Sequence, residues 1–122
     1  MLSHLSFGVS DLDRAAAFYD RILAPLGFGR VWTHARGVGY GAPGGGDKLA
    51  LFPRAEAAAP GAGFHLAFDA PSRAAVDAFH RAGMLGGGGD AGAPGLRPHY
   101  GADYYAAFLV DLDGYKLEAV HQ

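Results

Sequence analysis

The chain repeats itself. His4-Leu5-Ser6-Phe7 returns as His65-Leu66-Ala67-Phe68, half of the 122-residue length later. A turn and a segment of similar build follow each copy: Arg14-Ala15-Ala16-Ala17-Phe18-Tyr19 after the first, and Arg73 to Phe79-His80 after the second. A unit of this size can rarely bury its apolar face alone. The repeat therefore demands two halves packed together, with module 1 at residues 1–53, a linker at 54–63 and module 2 at 64–122.

Within module 1, residues 3–9 alternate, with Leu5, Phe7 and Val9 on one face and His4, Ser6 and Gly8 on the other. Ser10 or Asp11 can cap a helix whose apolar positions are Leu12, Ala15, Ala16, Tyr19, Ile22, Leu23 and Leu26. Pro25 and Gly27 stop it. Strands are predicted near 28–34, 37–42 and 47–53, with a turn at Pro43 to Asp47. Module 2 repeats the order: a strand at 64–69, a helix capped by Ser72 with Ala75, Val76, Phe79 and Ala82 buried, and strands at 104–110 and 115–120 around the Asp113-Gly114 turn. The glycine- and proline-rich stretch 84–103 is expected to hold at most a short strand. The expected fold class is α+β: a single domain of two paired β-α-β-β-β modules forming a curled mixed sheet around a cleft, with helices on the outer face.

Composition narrows the chemistry. No cysteine is present, so disulfides, thiolate nucleophiles and cysteine-held zinc are excluded, and any metal must use His, Asp or Glu. A net charge of -2 gives no basic field for nucleic acid or an anionic membrane. No apolar run approaches the ~18 residues of a membrane span, and the start of the chain lacks the features of a signal peptide. The expectation is a cytoplasmic protein with a small-molecule partner.

The strand faces select candidate ligands. Leu5 and Phe7, and likewise Leu66 and Phe68, belong against the helices, so His4 and His65 face away. In the last strand Tyr115, Leu117 and Ala119 share the helix-facing side, which leaves Lys116, Glu118 and Val120 on the other. His4, His65 and Glu118 then form a set of two imidazoles and one carboxylate, suited to Fe(II), Zn(II), Mn(II) or Ni(II) and open to water or substrate. A carboxylate on such a face needs a partner, and a divalent metal ion would supply one.

Four segments carry a family resemblance: His4-Leu-Ser-Phe-Gly-Val-Ser-Asp-Leu-Asp, Ala17-Phe18-Tyr19, Gly63-Phe-His65-Leu-Ala-Phe and Asp111-Leu-Asp-Gly-Tyr-Lys-Leu-Glu118. Together they resemble the vicinal oxygen chelate superfamily of glyoxalase I, bleomycin-resistance proteins, fosfomycin-resistance proteins and extradiol dioxygenases. The resemblance implies paired modules around a cleft, ligands at His4, near Leu51, at His65 and at Glu118, and frequent dimers, sometimes with modules paired across chains. Leu51 is no ligand, which disfavours glyoxalase I activity itself, because Glu118 alone would remain as base. No arginine follows Glu118, which argues against a fosfomycin-type phosphonate site. Extradiol dioxygenases resemble a longer, duplicated form.

Around these lie Arg97, for an anionic substrate group, and His99 and Tyr100, as acid, base or hydrogen-bond donors. Tyr104 or Tyr105 is a second donor, and Trp32 and Tyr40 are cleft walls. His34, His80 and His121 read as surface or helix-edge residues, and Gly86 to Gly89 as a turn with no phosphate-loop context. Two functions stay open. One is a metal-dependent lyase or dioxygenase, a homodimer, that grips its substrate through vicinal oxygens. The other is a metal-free binding protein of the bleomycin-resistance type.

Overall fold

A computed structural model describes residues 1–122. Module 1 contains β1 (Leu5–Val9), α1 (Leu12–Leu23), a 3-10 turn at Ala24–Leu26, β2 (Gly29–His34), β3 (Gly37–Gly41) and β4 (Leu49–Pro53). Module 2 contains β5 (Leu66–Asp69), α2 (Arg73–Leu85), β6 (Gly89–Leu96), β7 (Tyr105–Val110) and β8 (Lys116–His121). The Asp11 carboxylate accepts from Arg14 N at 3.1 Å, and Ser72 Oγ accepts from Ala75 N at 3.1 Å, so each helix starts on a side-chain cap. Pro25 enters the 3-10 turn and Gly27 closes it in the left-handed region at φ 87°.

The strands form two four-stranded sheets of identical topology, β1-β4-β3-β2 and β5-β8-β7-β6. In each, the first strand pairs in parallel with the last, and the other pairs are antiparallel. The repeat is thus a repeat of topology. The α+β class holds, with two separate hydrogen-bonded sheets rather than one continuous one. No helix is long and apolar enough to cross a membrane.

One core spans both modules. Phe18, Tyr19 and Ile22 of α1 meet Val76 and Phe79 of α2, with Leu51, Leu109 and Leu117 of the sheets in the same cluster. Because α1 and α2 also pack on each other, α1 buries Phe18 as well as the positions that face its own sheet. Truncating one fully buried leucine of such a core costs about 2–5 kcal/mol.

Polar contacts pin the halves together at the Asp111-Leu112-Asp113-Gly114 turn. Tyr19 Oη donates to Asp111 Oδ2 at 2.5 Å, Ser10 N to Asp113 Oδ1 at 3.1 Å and Tyr115 Oη to Gly8 O at 2.8 Å. Asp111 Oδ1 accepts from Asp113 N and Tyr115 N. Burial raises the Asp111 carboxyl above the usual range, against these hydrogen bonds, and pushes the Tyr19 phenol well above its ordinary value.

The stretch 84–103 departs from expectation. It holds the end of α2 and an eight-residue strand, β6, of sequence Gly-Asp-Ala-Gly-Ala-Pro-Gly-Leu. Local propensity opposes a strand there. Pairing with β7 imposes it, and the edge position and two register irregularities accommodate Pro94 and the glycines.

Candidate functional site

The open face of the second sheet carries the site. Glu118 on β8 pairs with Ala67 on β5 and Phe108 on β7, so the three side chains share one face. His65, two residues before Ala67, and Lys116, two before Glu118, join that face by strand alternation. Glu118 is only 1% exposed. His65 Nε2 lies 3.0 Å from Glu118 Oε2, and Tyr104 Oη donates to Glu118 Oε1 at 2.5 Å. Both carboxylate oxygens are therefore engaged, as a buried acid requires. Burial, and then the bond to Glu118, push the Tyr104 phenol up to about 12, so it stays a donor at neutral pH.

The loop between β6 and β7 closes over this pair. Arg97 N donates to Tyr104 O at 2.8 Å and Tyr100 N to Arg97 O at 2.9 Å. The rings of His99 and Tyr100 lie 4.1 Å apart, and those of Tyr100 and Tyr104 5.2 Å apart. The result is a cavity of about 560 Å³ whose lining includes His65, Glu118, Arg97, His99, Tyr100 and Tyr104.

Other expected residues lie elsewhere. His4 is exposed just before β1, outside the Glu118 cavity, with Nδ1 3.0 Å from Ser3 Oγ. One chain gathers no group of three His, Asp or Glu side chains able to hold an ion. Tyr40 does not line the Glu118 cavity: it is buried, and its Oη donates to Ala16 O and Asp20 Oδ1, both at 3.0 Å. Trp32 covers the first sheet, with its ring 5.2 Å from His34 and 6.1 Å from Phe52. Tyr105 faces α2, donating to Asp77 Oδ1 at 2.6 Å beneath Arg73, so Tyr104 is the tyrosine of this pair that enters the cavity.

The ligand position expected at Leu51 shifts by one residue. Ala67 pairs with Glu118, and its repeat partner Ser6 pairs with Ala50. Ala50 is thus the counterpart of Glu118, whereas Leu51 is 0% exposed in the core. A one-residue slip exchanges the faces of a strand.

Four residues that line the cavity were not among the sequence candidates: Ala91, Gly92, Phe108 and Lys116. Lys116 already shares the Glu118 face by alternation. Phe108 has no local signal, because its place depends on the β7–β8 register.

The donors fit a borderline divalent cation in kind, since an imidazole and a carboxylate converge on an open cavity. In number, one chain brings together two of the three.

Paired β-α-β-β-β modules with a polar cavity on the face of one sheet define a class. The Glyoxalase/Bleomycin resistance protein/Dioxygenase superfamily model matches residues 1–119, and the chain belongs to that superfamily. It is similar to a glyoxalase/bleomycin resistance protein from Albidiferax ferrireducens T118, with 36% identity over 98% of this chain and 97% of that one and a TM-score of 0.82. Two further structures show the shared fold alone. A glyoxalase-related enzyme from Fulvimarina pelagi is 20% identical over 100% of this chain and 88% of that one, with a TM-score of 0.77. The fosfomycin resistance protein FosX from Listeria monocytogenes is 18% identical over 98% and 91%, with a TM-score of 0.71. No curated protein matches the chain.

Proposed function

We propose that this chain is a divalent-metal-dependent enzyme acting on a small molecule with vicinal oxygens. In this reading His65 and Glu118 of one copy and His4 of a second copy are the protein donors, in a homodimer. One observation carries it: a 1% exposed carboxylate and an imidazole meet at 3.0 Å on the wall of an open cavity. His4 supports the third role, because it stands before β1 as His65 stands before β5 and is exposed outside the Glu118 cavity. Fe, Zn, Mn or Ni suits the set. When bound, the ion supplies positive charge against which a substrate oxyanion can form.

The chain's own groups have distinct tasks. Tyr104 fixes Oε1 of Glu118, which leaves Oε2 toward His65. Arg97 grips the substrate, and His99 and Tyr100, at the exposed part of the cavity, hold or pass a proton on its oxygens.

Metal analysis of chelator-free, untagged protein, coupled to light scattering, tests the reading. The expected result is about one equivalent of metal per chain in a dimer. His4→Ala and Glu118→Gln should each lose it, and the isolated mixed dimer of the two variants should regain about half, because it rebuilds one of its two sites. Less than about a tenth of an equivalent, with no uptake on titration, would overturn the reading. That outcome supports metal-free small-molecule binding, an alternative favoured by Glu118 being fully engaged by His65 and Tyr104.

A further inference from the structure

Two cations in this cavity stand without counter-charge. Lys116 Nζ lies 5.1 Å from the centroid of the Phe108 ring, and the guanidinium carbon of Arg97 lies 5.6 Å from the same centroid. Neither cation has a carboxylate within 4.0 Å. Arg97 Nη1 donates to Gly95 O at 2.9 Å and Nη2 to Ala93 O at 2.8 Å. These neutral acceptors hold the guanidinium in place without neutralising it, and further N–H donors remain free. Gly92 makes the room: a Cβ there would lie 3.2 Å from Arg97 Nη2 and 3.0 Å from the Phe108 ring. The only carboxylate lining the cavity, Glu118, is already engaged.

We infer that the cavity selects a small anionic molecule, whose carboxylate or phosphoryl oxygens are held by Arg97 and Lys116 over the Phe108 ring. The inference rests on the reading above for the reacting end of that molecule. Phe108 and Glu118 are direct partners across β7 and β8, and Lys116 is one two-residue step from Glu118. The anionic group and the reacting oxygens therefore lie roughly 7 Å apart or less, the length of such a step. A compact oxo or hydroxy acid, or its phosphoryl counterpart, meets that span. A neutral ligand leaves both cations unmatched, and in a partly enclosed cavity such a pair concentrates anions.

The test titrates the full chain with benzoate, benzamide and inorganic phosphate by calorimetry, both as purified and after chelator treatment. Amide shift mapping on the chelator-treated protein locates the binding. Saturable binding of benzoate or phosphate is expected in both preparations, with shifts at Arg97, Phe108 and Lys116. Benzamide should bind at least about tenfold more weakly. Lys116→Gln and Arg97→Gln should each weaken the anion by about tenfold, and the metal content of Lys116→Gln should stay at the level of the parent. The tighter of benzoate and phosphate tells carboxylate from phosphoryl. Benzamide binding as well as benzoate, an unchanged affinity in Lys116→Gln, or anion binding that disappears with the metal would overturn the inference. Anion binding by protein that takes up no metal would sink the metal reading and leave this one standing.

Discussion

Strand for strand, the row Trp32, Gly39, Ala50, Ser6 across the first sheet corresponds to Gly92, Phe108, Glu118, Ala67 across the second. In the first, the large residue stands on the edge strand and the glycine beside it; in the second, the two are exchanged. A Cβ at Gly39 would run into the Trp32 indole, so the aromatic ring lies directly over the strand. Ala50 is 3% exposed there. In the second sheet Phe108 stands one strand further in, and the space above Gly92 passes to the Arg97 guanidinium. A carboxylate, two cations and a cavity occupy that face. One scaffold thus yields a covered face and an open one through the placement of a single bulky side chain.

The largest expected effect separates the faces by chemistry. Glu118→Gln should keep the fold but lower metal affinity on the order of 100-fold or more, measured by metal titration alongside a thermal melt. Unchanged uptake would remove the open face from the metal reading. The reciprocal change, Ala50→Glu, would bury a carboxylate with no counterpart of Tyr104 beside it. Urea unfolding should show a loss of about 3 kcal/mol or more. Equal stability would mean that the faces are interchangeable.

Gly39→Ala forces the indole off its strand. A loss of about 1–3 kcal/mol is expected, with red-shifted emission. Trp32 is the sole tryptophan, so the spectrum reports on this site alone.

The smallest effect concerns β6, the edge of the open face. His80 Nε2 lies 2.9 Å from Asp90 Oδ1, which also accepts from Gly92 N at 2.9 Å. The His80 bond, and then the Gly92 bond, hold the Asp90 carboxyl below its usual value. A lowered folded value stabilises the fold above the ordinary Asp pKa of about 3.9, and the benefit disappears as pH falls through the folded value. In His80→Ala the acid side of the stability curve should flatten slightly. A parent and a variant with the same acid dependence would show that this tie contributes nothing.

The features that could be read from the sequence are local ones. The duplicated His-Leu-x-Phe run, the caps at Asp11 and Ser72 and the alternation of β1 and β8 depend on neighbours in the chain, and all recur in the structure. The same alternation points Glu118 away from the core side chains of its strand. Register was not legible, because it depends on which residue of a distant strand sits opposite. That is why Ala50, not Leu51, is the counterpart of Glu118. Adjacent residues of a strand must face opposite ways, but only packing against α2 decided that Tyr105 turns inward and Tyr104 enters the cavity.

By itself, then, the amino-acid order determined two copies of one β-α-β-β-β unit and the side-chain types offered on each strand. The tertiary structure decided the rest: a strand through Gly89–Leu96, His4 left out of any group of three metal-binding side chains within one chain, and Arg97 and Lys116 gathered around Phe108. Each of these follows from pairing between segments far apart in the chain, where a hydrogen-bonded neighbour overrides local propensity.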